Sequence, residues 1–219
     1  MYDIFYGVLL LFEVVITVSN GLFIIRRDPS KRLNQVFLLV MVFFASYLFF
    51  ESIIYLLGIV DLLLIDFFRD ISVLSSTTSA VLLLFSALIV QSGDEIVEKR
   101  LNQLMGFLTI VILVLVGIPF DWASIVENGV SYVVFKNDII GKIALIIIPS
   151  LMVVFAMVQY MRIRQSSEDP VMRQKLLRLT IGLLLILGGI AYFAIFPLFR
   201  YPGHVSYIIG LLFMFWAFK

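Results

Sequence analysis

Apolar residues in this chain fall into long runs that short polar turns separate. The runs are near the length of about 20 residues at which a helix, rising about 1.5 Å per residue, crosses a bilayer core of about 30 Å. Each of the seven runs therefore predicts a membrane-spanning helix. Their expected bounds are Ile4–Ile25, Asn34–Val60, Ile71–Val90, Leu104–Phe120, Ile139–Tyr160, Leu177–Leu198 and His204–Lys219.

The polar turn between the first two runs, residues 26–32, indicates the orientation. It holds four cations beside Pro29, and proline ends a helix because it lacks a backbone N–H and disfavours helical geometry in the preceding residue. Short loops rich in Lys and Arg stay cytoplasmic, and the turns after the first, third and fifth runs hold eleven such residues against four in the opposite loops. The eleven are Arg26, Arg27, Lys31, Arg32, Lys99, Arg100, Arg162, Arg164, Arg173, Lys175 and Arg178, and the four are Arg69, Lys136, Lys142 and Arg200. We therefore expect the N-terminus outside and the C-terminus in the cytoplasm.

Composition places the chain outside the range of soluble domains. Hydrophobic residues make up 62% of the 219 residues and charged residues 14%, with a mean hydropathy of +1.11. We expect an all-α polytopic membrane protein, a single seven-transmembrane helix bundle over residues 1–219, multi-pass in the cell (plasma) membrane. The net charge of +1 gives no bulk field that would attract nucleic acid, which is excluded as a partner.

Catalytic chemistry is not expected from these residues. Cysteine is absent and histidine occurs once, at His204, which excludes disulfides, thiolate or histidine-rich metal sites and cysteine nucleophiles. The sequence has no zinc-protease motif, nucleophile elbow or glycine-rich phosphate loop. A retinal Schiff base would need a buried lysine in the last run, where the only lysine is the terminal Lys219. We expect no enzyme activity, catalytic residue, metal or cofactor.

Two outer loops carry local structural signals. In residues 121–138, Asn128-Gly129 is a preferred type I′ turn pair, and the strand formers Ile125-Val126 and Val130–Phe135 flank it. This pattern predicts a short extracytoplasmic β-hairpin between helices 4 and 5, and the alternative is a mobile loop. Residues 61–70 keep a helical spacing of apolar positions and predict a separate amphipathic turn in the outer interface.

Two carboxylates, Glu13 and Glu51, lie inside apolar runs, where ionisable groups are costly and often functional. At about 1.5 Å per residue, Glu13 lies roughly 15 Å and Glu51 roughly 13 Å below the outer ends of their helices. Tyr47 and Tyr55 stand one turn either side of Glu51 on the same helical face. These groups share one level in the outer half of the membrane.

Other polar residues fall at the same level and complete a candidate ligand-binding set. Hydroxyl residues crowd the outer part of the third run, and Tyr192, Arg200, His204, Ser206 and Tyr207 lie in the outer parts of the last two. The candidate ligand-binding residues are Glu51, Glu13, Tyr47, Tyr55, Ser75, Ser76, Ser79, Tyr192 and His204. The alternative is that both carboxylates are protonated and join helices by hydrogen bonds to hydroxyls. For Glu13 we favour this alternative, and for Glu51 we give it the same weight as a ligand pocket. Packing polarity is favoured for the hydroxyl run, and an interfacial position is favoured over a pH switch for His204.

Several of these segments together resemble a known module. They are the seven spans, the Arg-Asp-Pro-Ser-Lys-Arg-Leu-Asn turn at residues 27–34, the outer hairpin, and the basic segment at residues 173–178 leading into Gly-Leu-Leu-Leu at 182–185. The pattern resembles the seven-transmembrane N-terminal sensor region of prokaryotic histidine kinases and related signalling proteins. The resemblance implies an input module that detects an outside or membrane-borne stimulus and relays it to a cytoplasmic effector. Because such modules normally continue into a kinase or cyclase region, we expect either an effector beyond Lys219 or a separate partner.

The expected function is therefore that of a membrane sensor. A ligand bound among spans one, two, three and seven would shift the cytoplasmic ends of spans six and seven, with Gly188, Gly189 and Pro197 as flexible points. One alternative is a small ion, proton or solute transporter or channel using Glu13 and Glu51, and another is an assembly subunit whose basic loops dock a partner. The candidate partners are the lipid bilayer, a small-molecule or ion ligand, a cytoplasmic signalling effector and a second copy of the chain in a homodimer.

Overall fold

Seven helices in the computed structural model are long and apolar enough to cross a membrane, in agreement with the sequence pattern. The structure describes residues 3–93, 95–128, 130–137, 139–196 and 200–219, with only the main chain at 97, 98, 120–128, 130–137 and 194. The seven helices are α1 (Ile4–Arg27), α2 (Arg32–Leu56), α3 (Leu62–Ser92), α4 (Arg100–Gly117), α5 (Ile139–Ser166), α6 (Pro170–Ile195) and α7 (Tyr201–Phe218). A single helical turn, Glu95–Glu98, precedes α4, and a 3-10 turn, Ile118–Phe120, follows it.

Aspartate side chains cap the starts of three helices. Asp3 accepts the N–H of Tyr6 at 3.1 Å, Asp61 that of Leu63 at 2.9 Å, and Asp169 that of Val171 at 2.8 Å. A carboxylate here satisfies an N–H that has no partner within the helix and favours the positive end of the helix dipole. At Asp169 the cap is followed by Pro170 at the first helical position, where proline loses no hydrogen bond within the helix.

The cap at Asp61 corrects one expectation. The prediction of a separate amphipathic turn at residues 61–70 is wrong, because residues 62–70 form the first turns of α3. The charged residues within them do not end the helix, since Arg69 forms an ion pair with Glu51 on α2. α3 therefore begins nine residues earlier than the hydropathy pattern predicts, at Leu62 instead of Ile71.

A π-helical turn interrupts α5 at Ile143–Ile147. Pro149 follows it and cannot donate the hydrogen bond that an α-helix would require from its nitrogen. A single π turn accommodates such a missing bond within an otherwise continuous helix, and such turns are frequent at functional sites.

Six helices form a closed ring. Each of α1, α2, α3, α5, α6 and α7 packs against the next, and α7 packs back against α1. α4 packs on the outside of the ring against α3 and the first turns of α5. α1, α3, α5 and α7 begin at one end of the bundle, which we call the Arg200 end; the opposite end is the Arg27 end.

Two antiparallel strands connect α4 to α5 at the Arg200 end. They are β1 (Asp121–Asn128) and β2 (Val130–Asn137), and their register pairs Ile125 with Val133. Gly129, the second residue of the expected type I′ pair, lies outside the described residues.

Glycines allow α6 and α7 to approach very closely. A Cβ atom on Gly182 would lie 2.6 Å from the carbonyl oxygen of Gly210, and one on Gly189 would lie 2.8 Å from that of Gly203. The two contacts are seven residues apart on each of these antiparallel helices, so the backbones touch at two points that are two helical turns apart. α6 and α7 therefore form one tightly packed pair.

Candidate functional site

A cavity of about 610 Å³ lies inside the ring. Its volume is within the range of about 300–1,000 Å³ that is typical of small-molecule sites. α2, α3, α5, α6 and α7 supply its walls, and Tyr6 contributes from α1. The charged residues among the described lining are Glu51, Arg69, Lys142 and Arg200.

The cavity lining changes from charged to apolar along the helix axes. On α3 the lining residues run from Arg69, nearest the Arg200 end, to Leu83. At α7 they run from Arg200, the residue just before the helix, to Met214. Each path covers 14 residues of sequence, or about 21 Å at about 1.5 Å per residue. The site is therefore an elongated cavity with one charged end and one apolar end.

Glu51 is held at the charged end by two contacts from α3. Its Oε1 accepts a hydrogen bond from Arg69 Nη1 at 2.7 Å and from Ser72 Oγ at 3.2 Å. The short connection from α2 to α3 brings these residues to one level, although Glu51 and Arg69 are 18 positions apart. The 2.7 Å separation is typical of a charge-assisted hydrogen bond, so this pair joins the two helices firmly.

Arg200 is fixed at the same end by two tyrosines. Its Nη1 donates to the Tyr55 hydroxyl at 2.8 Å, and its guanidinium carbon lies 5.5 Å from the centre of the Tyr6 ring. The two rings are themselves 4.7 Å apart in an edge-to-face arrangement. A cation over an aromatic face is attracted by the ring quadrupole, which helps hold this charge beside the cavity.

A second buried polar group joins α1 to α7 behind the cavity wall. His204 Nδ1 lies 2.9 and 3.0 Å from the two carboxylate oxygens of Glu13, and its Nε2 lies 2.9 Å from the Tyr6 hydroxyl. Glu13 is fully buried and His204 is 1% exposed. The expectation that His204 is interfacial is therefore wrong, because it packs between α1 and Phe193 of α6. The partner of Glu13 is also an imidazole and not the hydroxyl that the sequence argument favoured.

These contacts belong to a polar ladder that runs the full length of α1 and α7. Asn20 Nδ2 donates to the carbonyl of Leu211 at 3.0 Å, and Arg27 Nη1 donates to the carbonyl of Phe218. The ladder positions stand seven residues apart on each helix: Tyr6, Glu13, Asn20 and Arg27 on α1, and His204, Leu211 and Phe218 on α7. Because a seven-residue spacing keeps positions on one seam between packed helices, the ladder fixes the register of this pair.

The structure separates the predicted site residues into two sets. Those that line the cavity are Glu51, Tyr47, Ser76 and Ser79. Those that are not among its described lining residues are Glu13, Tyr55, Ser75, Tyr192 and His204. Tyr55 still acts on the site because it holds Arg200, whereas the Tyr192 ring packs against Phe196 at 5.0 Å. Of the expected flexible points, Gly189 is at the close contact with α7, and Pro197 lies outside the described residues.

Sequence reasoning missed two cations and one wall of the cavity. Arg69 and Lys142 were assigned to outer loops, and α5 was not expected at the site. α6 was expected there only through Tyr192, which is not among the described lining residues. A signal for Arg69 exists: it stands three and seven positions before Ser72 and Ser76, a helical spacing that continues the hydroxyl face of α3. The α5 and α6 walls are mainly aliphatic and carry no comparable signal.

No protein-family model matches this chain, and no curated protein shows a significant sequence match to it. The resemblance to histidine-kinase sensor regions therefore remains a prediction. In the part of the chain that the structure describes, no group of three or more His, Asp or Glu side chains is placed to hold a metal ion. The cavity and its charged end are therefore the candidate functional site.

Proposed function

We propose that this protein is a receptor-like membrane sensor whose ligand binds in the cavity of the helix ring. The observation that carries this proposal is the cavity itself, which combines an apolar body with converging charged and tyrosine side chains. This combination is the usual character of a ligand site, since apolar surface supplies affinity and a few polar groups fix orientation. A ligand that binds one packing of the ring better than another shifts the population toward that packing.

The proposed orientation places the Arg200 end outside a cell membrane and the Arg27 end in the cytoplasm. The excess of Lys and Arg in the turns at the Arg27 end, eleven against four, supports this assignment. The charged end of the cavity then faces the outside, so that a ligand arrives from the external medium or from the outer leaflet. The input module of a histidine kinase or a related signalling protein would have this arrangement.

The α6–α7 pair is the proposed relay to the cytoplasmic side. Both helices line the cavity, and their glycine contacts make them move together. At the Arg27 end, Arg178 of α6 donates to the carbonyl of Trp216 on α7 at 3.0 Å. A rearrangement around the ligand would therefore displace the cytoplasmic ends of both helices, where an effector or a partner protein would detect it.

The lining favours binding over conduction. A transport path needs polar groups through the whole membrane, whereas the lining residues nearest the Arg27 end, including Val40, Leu83, Leu183 and Met214, are apolar. Glu13, which a proton path was expected to use, pairs with His204 on the α1–α7 seam. A transporter that alternates access would have to open this apolar end.

The proposal is tested by blocking the cavity and by measuring movement at the cytoplasmic side. Purified protein in nanodiscs is exposed to a chloroform extract of the host membranes or to an aqueous culture extract, and its Tm is recorded. Ala80→Phe fills the cavity, since Ala80 is 7% exposed and lines it; Ala191→Phe on an exposed position of α6 is the control. The absence of native cysteine lets spin labels at Lys31→Cys and Val171→Cys report the distance between the cytoplasmic ends of α2 and α6.

The expected result is that one extract raises the Tm of the native protein and of the control, but not that of Ala80→Phe. The same extract should change the distance between the labels. If neither extract distinguishes the native protein from Ala80→Phe, the binding proposal is wrong. If an extract stabilises the native protein through the cavity and leaves the distance unchanged, the relay proposal is wrong.

A further inference from the structure

We propose that the cavity binds an amphiphile with one alkyl chain and an anionic head. This inference deepens the receptor proposal above and rests on it. The head would lie among the cations at the Arg200 end, and the chain would extend along the apolar walls toward Leu83 and Met214. Charge, dimensions and access each contribute to the argument.

The charges of the lining favour an anion. Arg69, Lys142 and Arg200 oppose the single carboxylate of Glu51, which gives a formal excess of two positive charges among the described ionisable lining residues. Lys142 makes no ion pair within the described part of the chain. Clefts lined by one sign of charge between low-dielectric walls concentrate ligands of the opposite sign. A cationic or neutral head would not benefit from this field.

The hydrogen-bonding groups also suit a carboxylate or a phosphate. Arg69 and Arg200 line the cavity at this end, and guanidinium N–H groups donate to carboxylate and phosphate oxygens. The planar fork of arginine matches the oxygen geometry of these anions. Tyr6 and Tyr47 place phenol rings at the same end of the cavity.

The dimensions of the cavity fit one chain. Its axial length of about 21 Å exceeds the roughly 15 Å that the acyl chains of one leaflet occupy, which is half of a core of about 30 Å. At about 30 Å³ for each water-sized group, the 610 Å³ volume holds roughly 20 such groups. A long alkyl chain with its head has about that many, and a two-chain lipid has about twice as many.

The cavity is accessible at α5. Lys142 is exposed and Ile147 is 47% exposed, and both residues also line the cavity. They lie at the first turns of α5, where the π turn Ile143–Ile147 forms part of the wall. An amphiphile in the outer leaflet has its own head at this level, so that it could enter sideways without leaving the membrane.

The test measures equilibrium binding of defined probes to the full chain in nanodiscs of phosphatidylcholine. Radiolabelled palmitate is the first probe, and palmitoyl lysophosphatidate examines a phosphate head on the same chain. Hexadecanol and hexadecyltrimethylammonium keep the chain and change the head charge to neutral and positive. Butyrate keeps the head alone, and dipalmitoyl phosphatidate adds a second chain.

The expected result is saturable one-to-one binding of palmitate, lysophosphatidate or both, at least tenfold tighter than that of the other four probes. Lys142→Gln should weaken the binding of the anionic probes roughly tenfold, because it removes one of the charge-assisted contacts, and should leave hexadecanol binding unchanged. Lys175→Gln, at a half-buried position of α6 that is not among the described lining residues, is the matched control. Ala80→Phe should abolish binding and Ala191→Phe should not.

Other outcomes would overturn the inference. Equal binding of hexadecanol or the cation would show that head charge does not matter, and equal binding of the two-chain lipid would refute the single chain. Palmitate binding that is insensitive to both Lys142→Gln and Ala80→Phe would place the ligand elsewhere. If no probe binds but an extract still stabilises the protein through Ala80, the ligand class is wrong and the receptor proposal stands.

Discussion

The close contact between α6 and α7 predicts opposite effects for two alanine substitutions in the same helix. Gly182 meets backbone: an added Cβ would lie 2.6 Å from the Gly210 carbonyl oxygen and 2.7 Å from Met214 Cγ. Gly188, six positions later, meets only Ser206 Oγ at 3.8 Å, which is an ordinary van der Waals distance. Gly182→Ala should therefore destabilise the protein, and Gly188→Ala should be neutral or stabilising.

The size of the effect follows from how far the added Cβ would lie inside an ordinary contact distance from the Gly210 oxygen. Ordinary contacts begin at 3.4 Å, so Gly182→Ala requires α6 and α7 to separate by about 0.8 Å, since backbone atoms cannot rotate away. A gap of about 0.5–1 Å forfeits roughly a quarter to a half of the dispersion energy of each contact affected, and overpacking typically costs about 1–3 kcal/mol. Replacing glycine by alanine within a helix returns up to about 1 kcal/mol. We expect a net loss of about 1–2 kcal/mol for Gly182→Ala and a gain of up to about 1 kcal/mol for Gly188→Ala.

The measurement is reversible unfolding of the purified protein in mixed micelles, titrated with sodium dodecyl sulfate and followed by tryptophan fluorescence. The midpoint of Gly182→Ala should move to lower dodecyl sulfate, and that of Gly188→Ala should stay or move to higher. Equal midpoints for the two variants would refute the reasoning, because both add the same methyl group to the same helix. A second substitution at Gly210 is not expected to restore the stability of Gly182→Ala, because Gly210 has no side chain that could be made smaller.

Two further predictions concern polar contacts. Glu13→Leu should destabilise the protein by about 1–2 kcal/mol in the same titration, because it leaves His204 buried without its carboxylate partner, whereas Phe12→Leu, at a side chain that is 53% exposed, should have little effect. No loss in Glu13→Leu would mean that the pair does not stabilise the fold. In the α1–α2 turn, the Ser30 hydroxyl donates to Asp28 at 2.6 Å and lowers the pKa of that carboxyl. This hydrogen bond therefore stabilises the folded protein above the unfolded-state pKa of Asp28, and the stabilisation is lost as the pH falls through the folded-state pKa. Ser30→Ala should raise the pKa of Asp28 toward its ordinary value in a carboxyl-carbon NMR titration, and an unchanged pKa would contradict the role of the hydroxyl.

The seven helices could be predicted because hydropathy is a property of each segment alone. The start of α3 shows where this method fails. Asp66, Arg69 and Asp70 lower the average hydropathy of residues 62–70, yet these residues are helical in the structure. A window along the chain counts the charge of Arg69 without its partner Glu51, and that partner is known only once α2 and α3 are packed together.

Only the polar residues of the candidate site could be predicted from the sequence. Depth along each helix correctly brings Glu51 and Tyr47 to the level of Ser76, and all three line the cavity. It cannot show that α5 and α6 complete the walls, because Leu145 and Ile190 have the same chemistry as side chains that face lipid. The direction in which each helix faces is decided by packing between helices that are distant in sequence.

The sequence of α1 carries one further signal, in the spacing of its polar residues. Tyr6, Glu13, Asn20 and Arg27 are polar positions at a strict seven-residue spacing within an apolar helix. Such a spacing indicates one seam against a single partner helix. It adds support to the helix–helix contact that the sequence analysis favours for Glu13, although it does not show that α7 supplies His204.

The ladder between α1 and α7 also bears on the timing of biosynthesis. Glu13 and His204 are 191 positions apart, so at about 5–20 residues per second α1 leaves the ribosome roughly 10–40 s before its partner exists. During that interval Glu13 and Asn20 have no ladder partners in a bilayer core, where ionisable and polar side chains are costly. The insertion machinery or the adjacent α2 must shelter them until α7 arrives. α1 can therefore form its final contacts only after α7 has been synthesised.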